Sequence, residues 1–117
     1  MSKIVFAAMA RENFYLREYI TKFILEKDST PVSAFMMFSY FLMDSIERQR
    51  LIEANNNLIK ISNELWVFGK ISPGVTEEIG LAKSLKIKIR YFSIIALNDV
   101  NSEIRFEETE SSENLLR

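Results

Sequence analysis

Two adjacent carboxylates, Glu77 and Glu78, follow a serine–proline step, Ser72–Pro73, inside the stretch FGKISPGVTEEIG. The chain has no cysteine and no histidine, which removes thiolate and imidazole metal sites, disulfides, and any Ser-His or Cys-His relay. If the chain is an enzyme, proton transfer or nucleophilic attack falls to a carboxylate. A serine before a proline is the pair that caps and opens a helix, and the amides of such a first turn can hold a phosphate or a carboxylate. The same stretch contains all three glycines, Gly69, Gly74 and Gly80. Gly69 and Gly74 let the backbone turn sharply and come close to a ligand, and Gly80 lets a helix sit near its neighbour.

Helical geometry separates the two acids. With Val75 as zero and about 100° per residue, Ile79 falls near 40°, Ala82 near 340° and Glu78 near 300°, whereas Glu77 falls near 200°. Glu77 therefore faces water, and Glu78 borders the buried stripe. A carboxylate in that position is partly desolvated, which makes its charge costly and its reactivity high. The same placement also fits a purely structural role, because acids at helix starts favour the macrodipole.

The elements that must position these residues alternate. KIVFAAM, residues 3–9, is a nearly continuous apolar run of the kind found in a strand buried on both faces. After it, Asn13 caps a helix whose stripe is Leu16, Ile20, Phe23 and Ile24, ending at Asp28. PVSAF, residues 31–35, reads as a second short strand. A second helix starts at Asp44, with Glu47 completing a capping box, and carries Leu51, Ala54, Leu58 and Ile61 on one side. ELWVFG is a strand ending at Gly69. It leads into the helix of Ser72–Pro73, along which Val75, Ile79, Ala82 and the stem of Lys86 line one side. IKIRYFSII, residues 87–95, and EIRFE, residues 103–107, are further strands. This alternation predicts an α/β fold: a three-layer, flavodoxin- or Rossmann-like, mostly parallel sheet of about five strands with helices on both faces. Ligands of such sheets bind at the carboxyl ends of the strands, where the glycine-bearing stretch lies. One domain is expected over residues 1–106, with the acidic residues 107–117 as a frayed tail.

Composition sets the class. The chain has 117 residues, 48% hydrophobic and 26% charged, which is the profile of a globular domain with a core of its own. With 15 basic and 16 acidic residues the formal charge is −1, so no general attraction to nucleic acid or to anionic membranes is expected. Lys83, Lys86, Lys88 and Arg90 read as a solvated basic face. The longest apolar block, AFMMFSYFLM at 34–43, is about half the ~20 residues a spanning helix needs, and MSKIVFAAMARENF does not read as a cleavable leader. The cytoplasm is the expected location. The apolar, methionine-rich block is expected to pack in a subunit interface. Tyr15 and Tyr40 are aromatic rings that can stack on a base or fill the core.

The run NELWVFGKISPGVTEEIGLAKSLKIKIRYF, residues 63–92, resembles the nucleoside deoxyribosyltransferase-like superfamily, and the similarity extends more weakly back to Lys3. It is closest to small prokaryotic members with an ELWVFG strand; deoxynucleoside 5′-monophosphate N-glycosidases belong to the same superfamily. In the characterised enzymes a serine or aspartate, a glycine, a glutamate and a second glycine follow the third strand, and these fall on Ser72, Gly74, Glu78 and Gly80. The resemblance implies that Glu78 is the nucleophile that attacks the anomeric carbon of a deoxyribonucleoside, giving a covalent glycosyl-enzyme that water or a second base opens. It further implies that Ser72 and the amides around Gly74 hold the sugar or its 5′-phosphate. The glycosidases' phosphate-gripping GSIR becomes AMAR at 8–11, which keeps Arg11 as a phosphate ligand. Where the enzymes carry an aspartate for the leaving base, this chain has EANNN, with Asn56 nearest in register and Glu53 one turn earlier. No cofactor and no metal are implied, and the relatives imply a homodimer or larger homo-oligomer. Two functions stay open at this point: cleavage or transfer at an N-glycosidic bond, and non-catalytic binding of a nucleotide or small molecule in the same crevice.

Overall fold

The computed structural model describes residues 3–37, 45–96 and 104–110. Five strands form a single sheet: β1 (Lys3–Met9), β2 (Ser29–Val32), β3 (Glu64–Phe68), β4 (Lys88–Ala96) and β5 (Ile104–Thr109). Their order is β2-β1-β3-β4-β5, parallel except for the antiparallel β4–β5 pair. Helices α1 (Arg17–Glu26), α2 (Ala34–Met37), α3 (Arg48–Lys60) and α4 (Pro73–Ser84) connect them.

The central strands β1 and β3 are apolar without alternation because the side chains on both of their faces are buried. Val5, Ala7 and Met9 of β1 join Trp66, Phe68 and Phe92 with Leu16, Ile20 and Ile24 in one buried cluster. The intervening residues Phe6, Ala8, Leu65 and Val67 join Ile59 of α3 and Val75, Ile79 and Ala82 of α4 in a second. Each large side chain fully buried in this way contributes about 2 kcal/mol relative to exposure. Ile20 and Ile24 of α1 and Val75, Ile79 and Ala82 of α4 are buried as the 3.6-residue period requires.

Several boundaries differ from expectation, each for a local reason. Asn13 caps nothing: residues Arg11–Leu16 form a 3-10 turn before α1, and the Asn13 amide donates to the Ala10 carbonyl. The second strand starts earlier and ends at Val32, because Pro31 is tolerated inside an edge strand and Ser33 instead caps α2, its Oγ accepting from the Met36 amide at 3.2 Å. Ile61 is exposed just beyond the end of α3, and Ile59 takes the buried position. Lys86 lies past α4 at φ +59°, in a left-handed cap where Ile87 N–H reaches the Ala82 carbonyl, so its stem does not extend the stripe. The last strand continues to Thr109, so residues 107–109 of the expected tail pair with β4 instead of fraying. Glu47 of the expected capping box is instead the N-cap residue of α3, which starts at Arg48, and makes no side-chain cap bond; Asp44, Tyr40 and most of the apolar block at 34–43 lie outside the described residues. Among the described residues no helix is long and apolar enough to cross a membrane.

In this strand order the chain leaves β1 toward β2 on one side and β3 on the other. The crevice between their carboxyl ends, where Met9 pairs with Phe68, is the topological switch point. Gly69 ends β3 there at φ +74°, with its amide bonded to the Phe92 carbonyl.

Candidate active site

Four segments converge on that crevice around a cavity of about 290 Å³. Met9 closes the end of β1 and Arg11 follows it in the 3-10 turn. Ala34 opens α2. The first three turns of α3 bring Arg48, Leu51, Ile52, Asn55 and Asn56. The start of α4 brings Ser72, Gly74, Val75, Glu77 and Glu78. Five of the residues singled out from the sequence therefore line one cavity, Glu78, Ser72, Gly74, Arg11 and Asn56, whereas Gly80 lies outside the lining.

The α4 end is built by its cap. Ser72 Oγ accepts from the Val75 amide at 3.2 Å, and the Ser72 carbonyl accepts from the Thr76 amide at 2.9 Å. Pro73 has no N–H to satisfy. Among the described residues of this first turn, Gly74 thus carries the amide with no partner in the cap, and it borders the cavity. A methyl group on Gly74 would touch the Ser72 hydroxyl only at ordinary contact distance, 3.9 Å, so space alone does not demand glycine there. Gly80 is not a close-packing device either: nothing lies within 4 Å of where its Cβ would be.

Glu78 is half-buried beside the cavity, and Asn55 Nδ2 donates to its Oε2. Burial pushes its carboxyl pKa up to about 7; the Asn55 hydrogen bond opposes this and the neighbouring Glu77 charge adds to it. Near neutral pH such a group is divided between the carboxylate, which can attack or accept a proton, and the acid, which can donate one. Glu77 is exposed as its helical phase requires, yet it also borders the cavity.

Three features of the site differ from the sequence reading. The amide that touches Glu78 belongs to Asn55, which the sequence reading does not single out, whereas Asn56 lines the cavity without a hydrogen bond to the acid. Arg48, a second guanidinium at the cavity, was not singled out. Glu53 is exposed and outside the lining, and Tyr15, 70% exposed, also lies outside it. The phase of α3 carried the signal: Asn55 stands four residues before the buried Ile59 and seven after Arg48, on one face of the helix. Among the described residues, no group of three or more acidic side chains is gathered to hold a metal ion.

No curated protein and no solved structure matches the chain. The family model described as a domain of unknown function, DUF7768, matches residues 5–92, a stretch that holds every residue lining the cavity and stops within β4. The chain belongs to that family.

Proposed function

We propose that this cavity cleaves the N-glycosidic bond of a deoxyribonucleoside or its 5′-monophosphate, with Glu78 as the nucleophile. The observation that carries the proposal is a desolvated, amide-bonded carboxylate at the switch point of the sheet, beside a helix start that can receive an anion. One Glu78 oxygen attacks C1′ as the C1′–N bond breaks, and the electron pair leaves with the base, which takes its proton from water. Water, or the nitrogen of a second base, then opens the glycosyl ester and regenerates Glu78. Deoxyribose suits this route because it lacks the 2′-hydroxyl that would destabilise the oxocarbenium-like transition state. Arg11, Ser72 and the Gly74 amide would hold the sugar's 5′ side, and Asn56 the base. The cavity, about 290 Å³, lies just below the roughly 300–1,000 Å³ range of ligand sites, room for one small molecule.

The fold belongs to the same proposal. The two alternating clusters and the strand order support a three-layer, flavodoxin-like sandwich. A cytoplasmic homodimer or larger assembly, joined through the apolar block at 34–43, completes the reading, and sedimentation would test it.

Asn55 and Asn56 favour one other reading. Amides stand where a catalytic acid would help the base depart, and this suits a module that binds a nucleotide without cleaving it. The two readings separate when the protein is incubated with deoxynucleosides and their 5′-monophosphates and free base is followed by chromatography. Base release that disappears in Glu78→Ala supports cleavage, while binding with no release supports the module.

A further inference from the structure

Asn55 sits between two partners that fix the direction of its amide. Its Oδ1 accepts from the Ala34 N–H at 3.2 Å, so its Nδ2 is the end turned to Glu78. A backbone N–H can only donate, so turning the amide over would set donor against donor at Ala34. The clamp joins three elements, the start of α2, the middle of α3 and the first turns of α4, and all three residues border the cavity.

We infer that Asn55 is a positioning residue that ties down Oε2 of Glu78 and leaves Oε1 as the oxygen that meets the ligand, an assignment that rests on the glycosyl-transfer reading above. A nucleophilic carboxylate needs one oxygen on the line of attack, and a fixed neutral donor on the other oxygen restricts the side chain without neutralising it. A donor to the charged form also favours that form; without it, burial and the Glu77 charge act on Glu78 unopposed. The charged groups that share the cavity with Glu78 are Glu77 on α4, Arg48 on α3 and Arg11 on the turn after β1. From β1 and α2 come Met9 and Ala34, which do not titrate.

Asn55→Asp separates positioning from packing. It keeps the size of the side chain and the acceptor for Ala34 N–H but replaces the donor facing Glu78 with a negative oxygen. Asn55→Ala serves as a second variant that adds no charge. The first readout is the titration of the Glu78 carboxyl carbon by carbon-13 NMR in the protein without substrate; the second is the pH–rate profile of base release. Both variants should raise the titration midpoint by roughly one pH unit. They should also slow base release at pH 7 by about tenfold or more, with little change in KM. Midpoints that stay at the wild-type value in both variants overturn the assignment and leave Asn55 as a tie between α2 and α3. A raised midpoint in a protein that never releases base, even as wild type, sinks the glycosyl-transfer reading while the hold of Asn55 on Glu78 stands.

Discussion

At the residue scale, Glu78 is an acid kept where its charge is disfavoured, and that has a cost in stability. Its pKa in the folded chain, about 7, lies above the ordinary 4.5, so between those values the folded state binds more protons than the unfolded one. Stability then falls as pH rises from about 4.5 to 7 and stays low above it. Glu78→Gln keeps the shape and removes the ionisation. It should match the wild type near pH 4.5, exceed it by about 1–3 kcal/mol at pH 8, and release no base. Urea unfolding at the two pH values together with the base-release assay checks this; a variant less stable than the wild type at pH 8 would show that the charge belongs to the fold.

At the scale of elements, the sequence showed what local chemistry decides. The Ser72–Pro73 start of α4, the buried strands β1 and β3, and the α1 stripe were legible because each rests on a cap or a period that only its own residues set. The edges of β2 and the register of α3 were not. Pro31 marks a strand start equally well as an edge-strand interior, and three consecutive asparagines give no apolar phase, so nothing in the sequence marks Asn55 as the one that meets Glu78. The glycines make the same point. Gly69 has φ +74°, and a Cβ there would stand 2.7 Å from Ile94 Cδ1 and 3.0 Å from Asn13 Nδ2. Gly80 lies exposed in a helix with open space beside it. Gly69→Ala should therefore destabilise by about 1–3 kcal/mol, whereas Gly80→Ala should stabilise by about 0.5–1 kcal/mol through helix propensity. Thermal unfolding of the pair reads both signs, and equal effects would mean that backbone strain after β3 has been misjudged.

Across the whole molecule, the two ends of the sheet hold carboxylates of opposite character. At the end far from the cavity, Glu64 opens β3 in a nearly closed pocket, 4% exposed. Burial works against its charge, but bonds from Lys3 Nζ at 2.5 Å and Trp66 Nε1 at 2.9 Å, with the charges of Lys3 and Lys88, outweigh it and hold its pKa below the usual carboxylate range. Arg90 lies over the Trp66 ring at 4.6 Å and grips Glu108 of β5 through two bonds, of 2.8 and 2.6 Å. This network ties β5, which lies beyond the family match, to the strands within it. A lowered folded pKa stabilises above the ordinary value of 4.5, and that stability is lost as pH falls below it. Glu64, together with Glu108, whose carboxyl the Arg90 bonds also hold below the usual range, thus acts on the acid side of the stability curve and Glu78 on the neutral side, with opposite slopes. Glu64→Gln should flatten the loss of stability below pH 4.5 and leave the fall between pH 4.5 and 7 in place, while Glu78→Gln should do the reverse. Denaturation midpoints from pH 3 to 8 for the wild type and the two variants test the division. If Glu64→Gln leaves the acid limb as steep as in the wild type, the bonds from Lys3 and Trp66 to Glu64 do not set it, and Glu64 is no counterpart of Glu78 on the stability curve.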